Sequence, residues 1–245
     1  MADLRFTGIG KRFGGVRALD GVDGHVDEGE ILGLVGPNGS GKSTLINVLS
    51  GHYEADDGSI TYGDANLTDL PPHRIIETGL ARTYQIPRPF STMTALENVS
   101  VPFMFGANPL PPQTARESAM EWLAFTGLDT LANEPIDSLN LHQLKYLELA
   151  RALAARPKLL FLDEVLSGLN PTEITASIEM VRRIHSSGIT IVIVEHLVRV
   201  VTELASRIMV LDRGKVIADG DPTVVMQADA VVTAYLGKRS KRAEG

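Results

Sequence analysis

Apolar and polar positions alternate between glycines along the first thirty residues. LRFTGIG and VRALDGVDGHV read as half-exposed antiparallel strands, because period-two alternation puts every second side chain on one face. ILGLV, residues 31 to 35, breaks the alternation with a continuous apolar run, the pattern of a strand buried on both faces. A glycine-rich turn and a helix, LINVLS, follow. SITYG, 59 to 63, reads as a further strand of the edge sheet. Pro71, Pro72, Pro87, Pro89, Pro102, Pro109, Pro111 and Pro112 make 71 to 112 mostly loop with short helical pieces. QTARESAMEWLAFTG, 113 to 127, predicts an amphipathic helix ending at Gly127. SLNLHQLKYLELARAL, 138 to 153, predicts a second helix closed by Pro157. LLFLDE (159 to 164) and ITIVIVEH (189 to 196) are buried strands separated by a helix that starts at Pro171. RIMVLDRGKVIADG is strand, turn, strand. The order is an antiparallel ribbon, a parallel α/β core and an inserted helical piece, without internal repeats.

Composition narrows this picture. The 245 residues suit one large domain or a core with a subdomain. A net charge of -7 removes the global basic field that nucleic-acid binders use. The basic stretch at the end, with Lys238, Arg239, Lys241 and Arg242, reads as a solvated terminus rather than a membrane or partner contact. The absence of cysteine excludes disulfides, thiol catalysis and cysteine metal sites. The N-terminus has no apolar h-region, and no apolar run reaches the length of a membrane span. A membrane role therefore has to come through a partner.

GPNGSGKST, 36 to 44, fits G-x-x-x-x-G-K-[ST] and follows a predicted strand. Gly36, Asn38, Gly39, Ser40 and Gly41 form a loop whose N–H groups can close around phosphate oxygens. Lys42, Ser43 and Thr44 open a helix whose N-terminus adds positive potential. Lys42 is expected to reach the β- and γ-phosphates of a nucleotide, and Ser43 to offer its hydroxyl to Mg²⁺. In LLFLDE, Asp163 stands at the carboxyl edge of the sheet, where an acid holds Mg²⁺ partly through water. Glu164 is the candidate general base for an attacking water. His196 either touches a γ-phosphate or is a structural histidine. Gln85, in ARTYQIPRPF, either touches Mg²⁺ or the attacking water, or is solvated. Phe13, beside Gly14 and Gly15, either stacks on a purine or packs in the core, and Val16 joins it among the cofactor-binding candidates.

Taken together, these residues resemble the nucleotide-binding subunits of ABC transporters, from about residue 4 to 236. Phe13 matches the adenine-stacking loop, GPNGSGKST Walker A, Gln85 the Q-loop, and LLFLDE Walker B with Glu164. SGLN, 167 to 170, matches the D-loop, and His196 the switch histidine. GLARTYQIPRPFSTMTALENV and LDEVLSGLNPTE are similar to the livG-like subunit of branched-chain amino acid importers. The resemblance implies an α/β P-loop NTPase (RecA-like) core with an N-terminal antiparallel β subdomain and an inserted α-helical subdomain. The domain is expected to span 1 to 238, with the helical part at about 90 to 156 and a basic tail at 239 to 245. The implied cofactors are ATP and Mg²⁺. The implied partners are a second nucleotide-binding subunit, two membrane permease subunits and, indirectly, a solute-binding protein, with no nucleic acid. The implied place is peripheral, on the cytoplasmic face of the inner membrane. Phe90, Phe103, Met104 and Phe105 either line the groove that receives the permease or pack the helical subdomain.

One motif departs from the family. Where L-S-G-G-Q is usual, this chain reads Leu139, Asn140, Leu141, His142, Gln143. Leu141 and His142 add Cβ atoms where glycine permits close backbone approach. Asn140 keeps an amide donor, and His142 is either a phosphate contact or a cover for the helix end. The resemblance implies that the signature of one subunit serves the ATP of the other, so the substitution leaves this chain's own Walker motifs intact. A heterodimer with one ordinary signature is therefore expected over a homodimer. The alternatives are a weakly or non-hydrolysing regulatory subunit, a soluble ATPase acting on nucleic acid, and a small-molecule kinase.

Overall fold

The computed structural model describes residues 3–106 and 108–236. The basic tail singled out above lies outside the described residues. In chain order the first elements are β1 (Leu4–Phe13), β2 (Val16–Val26), β3 (Ile31–Val35), α1 (Lys42–Leu49), β4 (Asp57–Tyr62) and β5 (Ala65–Asn66). Then come α2 (Pro72–Glu77), β6 (Leu80–Arg82), α3 (Ala95–Phe105), α4 (Pro112–Phe125), α5 (Leu141–Ala154), β7 (Leu159–Asp163) and α6 (Pro171–Ser186). The last are β8 (Thr190–Val194), α7 (Val198–Leu204), β9 (Arg207–Asp212), β10 (Lys215–Gly220), α8 (Pro222–Val225) and α9 (Asp229–Leu236). They form two compact units, one made of the chain up to Pro72 and again from Thr190, the other of His73–Ile189.

The first unit holds an antiparallel sheet in the order β2-β1-β4-β5. Alternation along β1 and β2 buries Leu4, Phe6, Leu19 and Val22 and leaves the intervening residues wet, as the period-two pattern requires. The same unit holds β3, which pairs in parallel with both β8 and β9. Its five residues are all buried, because both faces of a parallel sheet are covered by other elements, α7 among them. β10 turns back antiparallel on β9. Arg207, at the start of β9, donates to Glu30 (2.8 Å), Asp219 (2.8 Å) and the His25 carbonyl (2.6 Å), fastening the ends of three strands.

In the second unit β6 pairs in parallel with β7, from Leu80 opposite Leu159 to Arg82 opposite Phe161. Helices α3, α4 and α5 pack on one another. The proline-rich stretch carries more order than its composition suggests. It contains the strand β6 and the eleven-residue helix α3. A capping box starts α3: Thr94 accepts from the Glu97 N–H, and Glu97 accepts from the Thr94 N–H. Pro102 lies inside the helix, where it removes one donor. The buried Asn98 secures the preceding loop, accepting from the Phe90 N–H (2.8 Å) and donating to the Thr94 carbonyl (3.0 Å). Local caps and one buried amide outweigh the proline count. No helix among the described residues is long and apolar enough to cross a membrane.

Candidate functional site

The first unit carries the phosphate loop between β3 and α1. Gly36, Gly39 and Gly41 have φ of 148°, 75° and 110°, a region that side chains with Cβ avoid. Space is as restrictive as torsion. A Cβ on Gly36 would lie 2.1 Å from the Leu211 carbonyl oxygen, and one on Gly41 2.7 Å from that of Ala18. Gly41 caps α1 without any side-chain hydrogen bond, so the first N–H groups of the helix have no capping side chain. Ser40 Oγ is buried and has no hydrogen-bond partner. Lys42 is buried, and its ammonium donates to the carbonyls of Gly36 (2.8 Å) and Pro37 (3.1 Å). Ser43 and Thr44 sit in the first turn of α1, with Ser43 exposed, and Asn38 and Gly39 are exposed at the loop tip. Helix N–H groups without a capping side chain, an orphaned hydroxyl and a lysine over backbone are the donor set a phosphate chain fits.

Two more candidates share this unit. Phe13 and Val16 face each other at the tip of the β1–β2 hairpin. Phe13 is 44% exposed and Val16 68%, so the core-packing alternative for Phe13 does not hold. The Phe13 ring meets Tyr53 edge-on at 5.2 Å, and Lys11 Nζ stands 5.7 Å from its centre. β2 runs on from that tip to Ala18, whose carbonyl backs Gly41. His196 is exposed and lies beyond the end of β8, which stops at Val194 rather than continuing through it. Its carbonyl accepts from the Val198 N–H (3.0 Å) at the entry to α7.

The second unit carries the acids. Asp163 closes β7, and Glu164 follows it with φ of 51°, a left-handed backbone on a residue with a full side chain. Both acids are buried. Gln85 Nε2 donates to Glu164 Oε2. The Gln85 side chain is therefore engaged, and it fixes the orientation of the glutamate carboxylate. Asp163 Oδ2 pairs with Arg82 Nη2 at 3.1 Å, with both side chains under a tenth exposed. Burial draws the Arg82 pKa below the usual arginine range, against the opposing pull of the Asp163 charge. Tyr84 has two guanidiniums near its ring, Arg82 at 4.7 Å and Arg88 at 5.5 Å from its centre, and burial raises its pKa. On α5, burial likewise raises the pKa of Glu148 against the Arg151 charge 3.1 Å away. Arg82 and Tyr84 stand in a quoted motif, yet nothing in their spacing announces the ion pair or the stacked cations. No group of three or more His, Cys, Asp or Glu that could hold a metal ion occurs among the described residues. A Mg²⁺ ion at Asp163 would need substrate oxygens and water to complete its shell, the usual habit of this ion at nucleotides.

The unusual signature starts α5. Asn140 is its N-cap: Oδ1 accepts from the Gln143 N–H, and Gln143 Oε1 accepts from the Asn140 N–H, both at 2.9 Å. That reciprocal box occupies the amide oxygen and leaves Nδ2 as the end the cap does not use. The His142 ring meets that of Tyr146, one turn further along the helix, at 4.3 Å. Its Nε2 is buried and has no hydrogen-bond partner, which favours the covering role over the phosphate contact in this conformation. Leu141 is half exposed and lies over the Gly168 turn, where a Cβ would meet its Cδ2 at 3.6 Å. Of the four candidates for a permease groove, Phe103 is in the core, since α3 turns it inward and Arg156 covers its ring at 5.4 Å. Phe90 lies under Arg151 at 4.9 Å and is part exposed, Met104 is half buried, and Phe105 is 78% exposed. Ile86, beside Gln85, is exposed as well; a lone isoleucine in a loop gave no sequence signal.

The ABC transporter family model matches residues 19–167. The high-affinity branched-chain amino acid transport ATP-binding protein BraF of Pseudomonas aeruginosa is 34% identical over 96% of this chain and 98% of its own length. The LivG protein of the same description from Escherichia coli K12 is 33% identical over the same shares. Among solved structures, an ATP-binding cassette of an ABC transporter in its ADP conformation superposes with a TM-score of 0.85 at 33% identity, covering 97% of this chain and all of that one. A dimeric cassette in a post-hydrolysis state, bound to ADP and Pi, gives 0.81 at 25% identity over 89% of this chain and 98% of that one.

Proposed function

Since this chain belongs to the ABC transporter family, we propose that it is the ATP-binding and hydrolysing subunit of an importer for branched-chain amino acids or related small polar solutes. The observation that carries the hydrolytic part is the Gln85–Glu164 contact. It holds one carboxylate oxygen of a buried glutamate in a fixed orientation at the end of a strand. A base is useful when its geometry is set before the water arrives. Glu164 orients that water and takes its proton, and Gln85 aligns the glutamate. Lys42, Ser40 and the α1 N-terminus bind the phosphates, Phe13 and Val16 the adenine, and His196 the γ-phosphate end. Mg²⁺, held by Ser43 and Asp163 partly through water, would supply charge neutralisation at the phosphates.

The chain works as a peripheral subunit on the cytoplasmic face of the membrane. Its partners are a second nucleotide-binding subunit and two permease subunits, fed by a solute-binding protein. Leu141 and His142 favour a heterodimer. The partner's ordinary signature completes the site on this chain's Walker motifs, and the site served by Asn140–Gln143 turns over slowly.

The test is steady-state ATPase activity of this chain alone, then mixed with its candidate partner subunit. Low activity that rises on mixing, and falls ~100-fold or more with Glu164→Gln, is the expected result. Activity in the complex that Glu164→Gln leaves unchanged moves hydrolysis to the other subunit. Fast cooperative hydrolysis by this chain alone removes the heterodimer.

A further inference from the structure

We propose that Lys145 is a positioning residue for Glu164, joining the signature helix directly to the backbone of the hydrolytic turn. The inference rests on Glu164 being the base in the reading above. Lys145 lies on the second turn of α5 and is only 7% exposed. A buried lysine needs a reason, because burial opposes its charge. Its ammonium donates to three main-chain carbonyls: Glu164 (3.3 Å), Val165 (3.2 Å) and Ser167. Three N–H donors on one tetrahedral nitrogen match three carbonyls that converge from one tight turn. Such bonds are charge-assisted and gain strength away from water.

The turn has need of a clamp. Glu164 sits in the left-handed region at φ 51°, which its Cβ disfavours. Within the turn, the Ser167 N–H reaches back to the Glu164 carbonyl at 3.2 Å, so the carbonyls gather on one side. Lys145 collects them. The glutamate is then fixed at both ends, its carboxylate by Gln85 and its main chain by Lys145.

The clamp comes from a significant place. The first turn of α5 carries Asn140 to Gln143, and the same helix touches the same turn a second time through Leu141 beside Gly168. A fourteen-residue helix moves as a rigid rod on this scale. Displacement of its signature end therefore reaches the Glu164 backbone through Lys145, with no intermediate loop to absorb it.

The experiment uses the assembled complex with Lys145→Met, which keeps the length of the stem and removes the donors. ATP affinity is read with a fluorescent nucleotide and turnover at saturating ATP. The expected result is a fall in kcat of ~10- to 100-fold, with ATP affinity within about twofold of wild type. In a Glu164→Gln background, Lys145→Met should reduce the residual rate no further. An unchanged kcat overturns the proposal, and so does a parallel loss of ATP affinity and kcat. If Lys145→Met does not assemble, Lys145→Gln carries the same expectation at smaller size, because it keeps one amide donor, and an unchanged kcat there is equally fatal. A wild-type complex that hydrolyses ATP but ignores Glu164→Gln overturns the assignment of the base itself, which separates that failure from a failure of the clamp alone.

Discussion

The phosphate loop and the Glu164 turn are both short connections that follow a fully buried strand, and they are built on opposite plans. The loop is made of main chain. Its shape comes from glycines at positive φ within nine residues, Gly36 to Thr44, and its walls are the carbonyls of Ala18 and Leu211. The turn is made of side chains from elsewhere. Gln85 is 79 positions away from the acid it orients, and Arg82 is 81 from the one it pairs with. A main-chain device fails when something is added to it. A side-chain device fails when something is taken away.

That contrast can be broken in order of size. Arg82→Met removes the partner of a buried carboxylate and should cost about 3–5 kcal/mol in denaturant unfolding. Adding Asp163→Asn should recover much of it, since the uncompensated charge goes too. A loss below about 1 kcal/mol would mean that the pair is solvated and that the turn does not depend on distant side chains. Gly36→Ala comes next. Strain at φ 148° should cost about 1–3 kcal/mol, and the overlap with the Leu211 carbonyl should displace the loop. Equilibrium nucleotide binding should weaken by tenfold or more on the same arithmetic. Normal binding would show that the loop tolerates addition after all. The smallest effect is at the signature. Asn140→Ala should cost ~1 kcal/mol and Asn140→Gly only a few tenths, measured by thermal unfolding. Equal losses for the two would mean that Asn140 does more than cap α5.

The same contrast explains what the sequence made legible. The phosphate loop could be read because all its constraints lie inside one window, and strands β3, β7 and β8 because continuous apolar runs mean burial on both faces. Helix α6 announced itself through Pro171 at its first position. Helix α3 did not, because eight prolines around it outweighed a capping box whose effect is local to Thr94 and Glu97. ITIVIVEH reads as strand through His196, yet β8 ends at Val194, since strand ends are set by pairing rather than by polarity. Phe103 could be groove or core until its helix has a phase, and α3 turns it into the core. Arg82 and Lys145 were invisible as partners. A lysine in the second turn of a helix reads as solvated until the carbonyls that enclose it are known.

The division of the first unit into two chain segments also sets a schedule. Strand β3 is synthesised early, yet both of its neighbours, β8 and β9, begin beyond residue 189. At ordinary translation speeds of about 5–20 residues per second, the strand that launches the phosphate loop waits roughly ten to thirty seconds for a sheet to join. The β1–β2–β4 ribbon and the whole of the second unit leave the ribosome in the meantime, and their contacts are nearer in sequence and cheaper to close. The loop is thus among the first functional motifs to be translated and among the last to be held in place. During that interval ILGLV is an unpaired, fully apolar strand on a growing chain, the segment a nascent-chain chaperone would have most reason to cover.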